Sequence, residues 1–149
     1  MKKSHIVMHH SATKDSGTAS WNAIRRYHMD DLGWRDIGYH LGIEYIEDAT
    51  GAGHYEALMG RDFLSDGAHC YQQNMNKLGL GVVLVGDFDT SKPPAEMLRF
   101  CARHVRALAD LHDIPIDEGH IHPHNEFAPK TCPGINFPWE LFIKMLRGA

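Results

Sequence analysis

With 149 residues and a mass of 16.8 kDa, the chain has the size of one domain, long enough to bury a core without disulfides or partners. A net charge of −4 with 23% charged residues leaves no basic field of the kind that nucleic-acid binding needs, and no apolar run reaches the roughly 18 residues that cross a membrane. We therefore expect one domain over residues 1–149, monomeric, with no nucleic-acid partner and no membrane insertion.

The first residues are not expected to form a secretion signal. In MKKSHIVMHHSAT, two lysines precede an apolar segment that is far too short for a signal-peptide core. The protein is therefore expected to be made in the cytosol and to have no signal of its own for leaving it.

The beginning of the chain predicts a strand, a loop and a helix. HIVMHH, His5 to His10, is a short β-type run that ends near His9 at the small and polar residues SATKDSGT. A helix is predicted to follow, with Ser20 as its N-cap and Gly33 at its end. The face of this helix that would pack on a sheet carries Trp21, Ile24, Tyr27 and His28.

The next segment predicts a β-hairpin over residues 38 to 58. GYHLGIEYIED alternates its side chains between two faces with the period of a strand, which places Tyr39 and His40 on opposite faces. The residues DATGAG that follow have turn chemistry, and HYEAL predicts the returning strand.

The second half of the chain predicts two further strands and two helices. After a polar loop, LGVVLVGDF is a continuous apolar run typical of a buried central strand. Residues 95 to 112 predict an amphipathic helix, DIPIDEGHIHPH a short strand, and PWELFIKMLRG a final helix with Pro138 at its start. Because strands and helices alternate without repeats, we predict an α/β fold with a central mixed sheet flanked by helices.

Histidines are the most unusual feature of the composition, with 12 in the chain. They are grouped at positions 9 and 10 and in HIHPH, residues 120 to 124. Neutral imidazole is the commonest protein metal ligand, so such groups favour a metal site, although a histidine-rich tract can also be an exposed accident. Among the three cysteines, Cys101 on the apolar helix face is expected to be inert core, and Cys70 in a polar loop an ordinary thiol.

Three separated segments could supply one metal site. His9 at the end of one strand, His124 after another, and Cys132 in the loop HNEFAPKTCP are ligands of a type that zinc accepts. A catalytic zinc usually has three protein ligands and one water, whereas four protein ligands make a structural site. A histidine and a cysteine at this spacing are not a specific pattern, and each residue taken alone is more often a core or surface group than a ligand.

Six segments taken together resemble one protein family. IVMHHSAT, GWRDIGYHLGI, GRD, GAH, VVLVGDF and HNEFAPKTCPG occur in the order and approximate spacing of the zinc-dependent N-acetylmuramoyl-L-alanine amidases of type 2. This family includes small phage endolysins, and the peptidoglycan recognition proteins are its relatives. The resemblance runs from Ile6 to Trp139 and implies a single amidase domain, without a separate wall-binding domain, with zinc in a surface cleft.

The resemblance implies a zinc site and two catalytic residues. One zinc ion would be held by His9, His124 and Cys132, the residues that the local pattern also nominates. The family's catalytic tyrosine falls on Tyr39 and its catalytic lysine on Lys130. With zinc as Lewis acid, Tyr39 would orient or deprotonate the attacking water, and Lys130 would stabilise the oxyanion of the tetrahedral intermediate.

Further positions follow from the same resemblance. Arg61 of GRD and His69 of GAH match positions that line the family's cleft, and they are implied to contact sugar or peptide carboxylates. Relatives often carry an acidic residue directly after the second histidine ligand, where this chain has Asn125; Glu126 could supply that charge instead. By strand alternation, His10 should face away from the zinc.

The implied activity is hydrolysis of the amide between N-acetylmuramic acid and L-alanine, in peptidoglycan or in soluble muropeptides. We expect the role of a phage endolysin in host lysis, which would reach the periplasmic wall when another protein opens the inner membrane. One alternative is a peptidoglycan-binding module without catalysis, although such modules usually lose the cysteine ligand that Cys132 retains. A second alternative is a structural zinc protein, which would need a fourth ligand. A third is an amidase with the same chemistry that recycles wall fragments in the cytosol or acts as an injected toxin.

Overall fold

The computed structural model describes residues 1–13 and 20–148, so most of the predicted loop SATKDSGT lies outside the described residues. The strands are β1 (His5–His10), β2 (Leu41–Glu47), β3 (Gly53–Met59), β4 (Gly79–Leu84) and β5 (Ile121–Pro123). The helices are α1 (Ser20–Arg26), α2 (Met75–Leu78), α3 (Ala95–His112) and α4 (Trp139–Leu146), with a π-helical turn (Tyr27–Asp31) after α1. None of the helices in these ranges is both long enough and apolar enough to span a membrane.

The five strands form one mixed sheet in the order β3-β2-β4-β1-β5. β4 runs parallel to both β1 and β2, β1 runs parallel to β5, and β2 pairs antiparallel with β3 as the predicted hairpin. The predicted α/β class with a mixed sheet is therefore confirmed. The carboxyl ends of β1, β4 and β5 meet at one edge of the sheet, which is where α/β proteins commonly place their sites.

One face of the sheet is covered by α3 and α4. Every residue of β4 is buried, as the continuous apolar run predicts for a central strand. The apolar side of α3 packs on this face together with Phe142 and Leu146 of α4, both of which are fully buried. Cys101 lies in this core, where burial raises the pKa of its thiol and keeps it inert.

The opposite face is covered by α1 and by the loop that leads into β2. The Trp21 ring lies directly over Gly42 of β2, where a β-carbon would come within 2.2 Å of it. The predicted N-cap is wrong, because Ser20 is the first helical residue and the carboxylate of Glu44 accepts the backbone N–H groups of Ser20 and Trp21 at 2.7 and 3.1 Å. Tyr27 is 53% exposed, because the helix changes to a π-helical turn there and rotates this ring off the sheet.

One other sequence expectation, the start of β2, differs from the structure. β2 begins at Leu41, so Tyr39 and His40 precede the regular strand, and their carbonyls accept hydrogen bonds from Arg61 and Gly60. Cys70 is buried although its loop is polar, because its side chain turns inward against apolar residues, namely Val7 and Met75.

Candidate metal centre

Strand register brings the two predicted histidine ligands together. β1 and β5 are parallel neighbours, and their last registered pair is Met8 with Pro123. His9 follows Met8 and His124 follows Pro123. The two histidines therefore lie side by side at the carboxyl ends of neighbouring strands. Their ring centroids lie 4.5 Å apart. His10 lies on the other face, as alternation predicts, and its Nδ1 accepts the backbone N–H of Phe88 at 3.0 Å.

The loop after β5 returns Cys132 to the two histidines. The backbone N–H of Asn125 donates to the carbonyl of Cys132 at 2.8 Å, which closes the loop on itself. The Asp89 carboxylate anchors the outer side of the loop, accepting from the Thr131 hydroxyl at 2.8 Å and from the Ile135 N–H at 3.0 Å. As a result, the thiol sulfur of Cys132 lies close to β1 without any need for the loop to fold on binding a ligand.

The three donors have the chemistry and spacing of a zinc site. One ligand atom from each of His9, His124 and Cys132 lies within 4.8 Å of the other two, and His9 Nδ1 lies 3.7 Å from the Cys132 sulfur. Tetrahedral zinc holds a nitrogen and a sulfur ligand about 3.5 Å apart. Within residues 1–13 and 20–148, this is the single group of three or more such side chains that could hold a metal ion.

Burial sets the protonation of the donors. It lowers the pKa of His124 to about 4, with a smaller lowering from the charge on Lys130, and it lowers the pKa of His9 well below the usual value. Burial also raises the pKa of the Cys132 thiol to about 11. Near pH 7 the two imidazoles are therefore neutral and ready to bind a metal, whereas the thiol must lose a proton first.

The site meets the surface on the side of Cys132 and Lys130. His9 is 2% exposed, His124 6% and Cys132 9%, and Lys130, two residues before the cysteine, is exposed. The positive charge of Lys130 is close enough to contribute to the lowered pKa values of both histidines, after burial. Lys130 therefore acts electrostatically on both histidines, while its catalytic role stays a prediction.

Tyr39 lies against the first histidine ligand. Its ring centroid is 5.2 Å from that of His9 and 5.8 Å from that of His28. Burial, with the neighbouring Cys132, raises the pKa of the Tyr39 hydroxyl above its usual range. The sequence did not mark His28 as part of this region, yet its Nδ1 accepts the Gly38 N–H at 3.0 Å, which fixes the backbone next to Tyr39.

Arg61 and His69, the two predicted substrate contacts, use their polar atoms inside the protein. The guanidinium of Arg61 is buried and donates to the backbone carbonyls of Ile37, Asp66 and Asp36 at 2.8, 2.9 and 3.4 Å. Such bonds tie the segment before β2 to the loop after β3. Arg61 therefore has a structural role in the protein. Its contact with substrate stays a prediction.

His69 lies behind the first ligand. Its Nδ1 is 3.0 Å from His9 Nε2, on the side of the ring away from Cys132, and its Nε2 is 3.3 Å from the carbonyl of Gly79. Burial lowers the pKa of His69 well below the usual value. The motif GAH drew attention to this histidine, but nothing in the local pattern indicated that its partner is a ligand.

The residues after the second ligand have different partners from those suggested by the sequence. The Glu126 carboxylate bonds to His122 Nδ1 at 3.0 Å, and His122 Nε2 lies 3.1 Å from His5 Nδ1. Glu126 is therefore engaged with a neighbouring histidine pair on the same sheet face, and Asn125 contributes its backbone N–H to the ligand loop.

Fold and donor set together define an α/β protein with a site of two histidines and one cysteine that could hold a metal ion. A model of the N-acetylmuramoyl-L-alanine amidase family matches residues 1–135. The chain therefore belongs to this family, and its enzymatic activity is that of an N-acetylmuramoyl-L-alanine amidase.

Individual relatives agree with this assignment. The endolysin of Escherichia phage T7 is 35% identical over 141 residues, which cover 91% of this chain and 84% of that protein. Among solved structures, Drosophila PGRP-LB has a TM-score of 0.75 at 26% identity, covering 95% of this chain and 81% of its own. The endolysin amidase LysCS from Clostridium intestinale has a TM-score of 0.78 at 22% identity, covering 99% of this chain and 85% of that chain. This likeness supports the fold.

Proposed function

We propose that the chain hydrolyses the amide between N-acetylmuramic acid and L-alanine in peptidoglycan with one zinc ion held by His9, His124 and Cys132. The observation that carries this proposal is the convergence of these three donors within 4.8 Å in a chain of the amidase family. When bound, zinc would supply an acidified water and a Lewis acid for the amide carbonyl. Within residues 1–13 and 20–148, no fourth protein donor joins this cluster, which favours a catalytic over a structural metal.

Tyr39 is proposed to orient the reacting groups. A tyrosine hydroxyl is protonated near pH 7 and can donate a hydrogen bond, and burial moves the pKa of Tyr39 further above that pH. Of the two roles that the sequence leaves open, orienting the water and removing its proton, this supports the first. The packing of Tyr39 against His9 places the ring at the ligand cluster.

Lys130 is proposed to stabilise the negative charge that develops on the carbonyl oxygen. The residue lies on the ligand loop, two positions before Cys132, and its backbone N–H donates to the Ala128 carbonyl at 2.7 Å. Since the charge of Lys130 already acts on His9 and His124, it would act on an oxyanion formed beside them as well.

Ligands of proteins with a similar fold support the proposed substrate class. A Drosophila PGRP-LB variant was solved in complex with tracheal cytotoxin, and the PGRP-LE complex identifies this ligand as monomeric diaminopimelic acid-type peptidoglycan. Both chains are less than 25% identical to this one, so their likeness is one of fold. We propose the same chemical class, a muramyl group carrying a stem peptide, as the substrate of this chain.

Metal removal tests the proposal. Dialysis of the purified protein against a chelator should abolish release of stem peptides from soluble muropeptides, and one equivalent of zinc should restore it. Circular dichroism of the metal-free protein serves as the control for folding. Hydrolysis that persists at the same rate after the metal content has fallen to zero would rule out the proposed chemistry.

Zinc binding at pH 6 is expected to release one proton per metal ion. At this pH the thiol of Cys132, with a pKa of about 11, is protonated, and His124, with a pKa of about 4, is neutral. Only the thiol must therefore lose a proton, so zinc affinity should rise about tenfold per pH unit between pH 5 and 7 and fall as the pH falls. Calorimetry in buffers with different ionisation enthalpies measures the number of protons released per zinc ion.

Other proton counts would contradict the assigned ligands or their protonation states. Release of two protons would mean that one of the histidines is charged before zinc binds. Release of none would mean that the Cys132 thiol does not become a ligand.

The biological role is proposed to be host lysis, since endolysins of Escherichia phage T7 and Enterobacteria phage T3 are each 35% identical to the chain. In this role, the enzyme acts on the periplasmic wall after another protein opens the inner membrane. Bacteria that produce the protein should stay intact until chloroform opens that membrane and should then lyse, unlike bacteria that produce the Cys132→Ser variant. Lysis of cells with intact inner membranes would contradict this route.

A further inference from the structure

We propose that His69 is a positioning residue that fixes the tautomer and ring orientation of His9 for zinc, in place of the substrate contact that its motif implies. The inference rests on the proposed zinc site. It concerns a buried chain of groups that runs from the carbonyl of Gly79 through His69 to His9.

The hydrogen bonds of this chain leave one consistent placement of protons. The Gly79 carbonyl can only accept, so His69 Nε2, 3.3 Å away, carries a hydrogen. A neutral His69 then has a bare Nδ1, which accepts from His9 Nε2–H at 3.0 Å. His9 therefore presents a bare Nδ1 on the other side of its ring, 3.7 Å from the Cys132 sulfur, which is the nitrogen that a metal needs.

The surroundings of His69 form a slot shaped for its ring. A β-carbon at Gly81 of β4 would lie 2.5 Å from His69 Cγ and Cδ2, and one at Gly67 would lie 2.4 Å from Cδ2. Only glycine allows a ring to lie this close to the backbone at both positions. The backbone of His69 is held too, because Asn76 Oδ1 accepts the N–H groups of His69 and Cys70 at 2.7 and 2.8 Å. The ring is therefore oriented before any metal binds.

This arrangement leaves His69 little capacity for substrate. Both ring nitrogens are engaged, one with Gly79 and the other with His9, and the side chain is buried. Loss of the partner that holds a histidine ligand typically lowers metal affinity by about 10–100-fold. We therefore expect His69 to act through the affinity of the zinc site.

Two variants of His69 separate hydrogen bonding from packing. His69→Leu fills the slot without an acceptor, whereas His69→Gln restores one acceptor and one donor. In competition with a chelating dye, His69→Leu should raise the Kd for zinc by about 10–100-fold, and His69→Gln should recover part of this loss. His5→Leu is the matched control, because it removes another His–His hydrogen bond, 3.1 Å long, from the same strand, and its Kd should stay at the wild-type value.

Nitrogen NMR of the zinc-free wild-type protein tests the proton placement without any variant or activity assay. The expected result is a hydrogen on Nε2 of His9 and a bare Nδ1. A hydrogen on His9 Nδ1, or a His69→Leu protein that folds and binds zinc as tightly as wild type, would overturn the inference while leaving the proposed function intact. A wild-type protein that binds no zinc would overturn the proposed function and this inference with it.

Discussion

Replacing Cys132 with serine is expected to remove tight zinc binding and amide hydrolysis together. The sulfur lies 3.7 Å from His9 Nδ1 and is the one donor of the cluster that can contribute negative charge. A serine hydroxyl stays protonated near pH 7 and is a poor ligand for zinc, which leaves two neutral imidazoles. The loss of affinity should exceed the roughly 100-fold that removal of an outer partner causes, as measured by dye competition and by stem-peptide release.

Cys101→Ala is the matched control for this variant. Cys101 is also a buried free cysteine, but it lies in the core between the sheet and α3. Its removal should lower the free energy of unfolding while leaving the Kd for zinc and the rate of hydrolysis unchanged. A Cys132→Ser protein that still hydrolyses the amide in the absence of bound metal would contradict the assigned mechanism.

The Lys130→Ala variant should keep its zinc and lose most of its turnover. Removing the ammonium group removes a charge that lowers the pKa values of His9 and His124, but burial is the larger cause in both cases. The imidazoles therefore stay neutral near pH 7 and zinc affinity persists. The oxyanion loses its positive partner, and loss of one such donor typically lowers kcat by about 10²–10³.

Two further variants serve as controls for Lys130→Ala. Lys130→Arg keeps the charge and should recover part of kcat, whereas Lys144→Ala removes an exposed lysine of α4 and should change nothing. Steady-state kinetics on a soluble muropeptide, with zinc content measured in each sample, distinguishes a chemical step from metal loss. Turnover of Lys130→Ala equal to that of wild type would show that the lysine is only a solvated side chain.

Regular elements of this fold follow from local patterns. The apolar run of β4, the amphipathic α3 and the hairpin of β2 and β3 have strong local signals, and each element occurs in the structure, although β2 begins later than predicted. The start of β2 and the cap of α1 were predicted wrongly because both depend on distant groups. Glu44 of β2 bonds to the first residues of α1 from the sheet face that α1 covers, and no pattern within α1 indicates that carboxylate.

The three donors of the metal site also depend partly on local pattern and partly on distant parts of the chain. Their residue types and loop setting nominated them as ligands, but their meeting depends on β1 and β5 being parallel neighbours at one edge of the sheet. Sheet order is a property of the whole chain and cannot be read from either strand. The resemblance of six motifs to a known family supplied that missing order.

Partners within the protein were the least predictable feature of the site. Arg61 and His69 carry polar side chains in motifs that suggested substrate contacts, yet their atoms bond to backbone carbonyls and to His9. Such pairings depend on burial and on the close approach of Gly81 to a ring. A sequence shows the glycine and the histidine, but it does not show that one makes room for the other.

The most direct test of the central claim is mass spectrometry of the products formed from purified peptidoglycan by the zinc-loaded protein. Cleavage of the amide between N-acetylmuramic acid and L-alanine should release stem peptides with new L-alanine amino termini and leave glycan strands uncut. Glycan fragments with intact stem peptides, or cleaved peptide cross-links, would contradict the assigned activity.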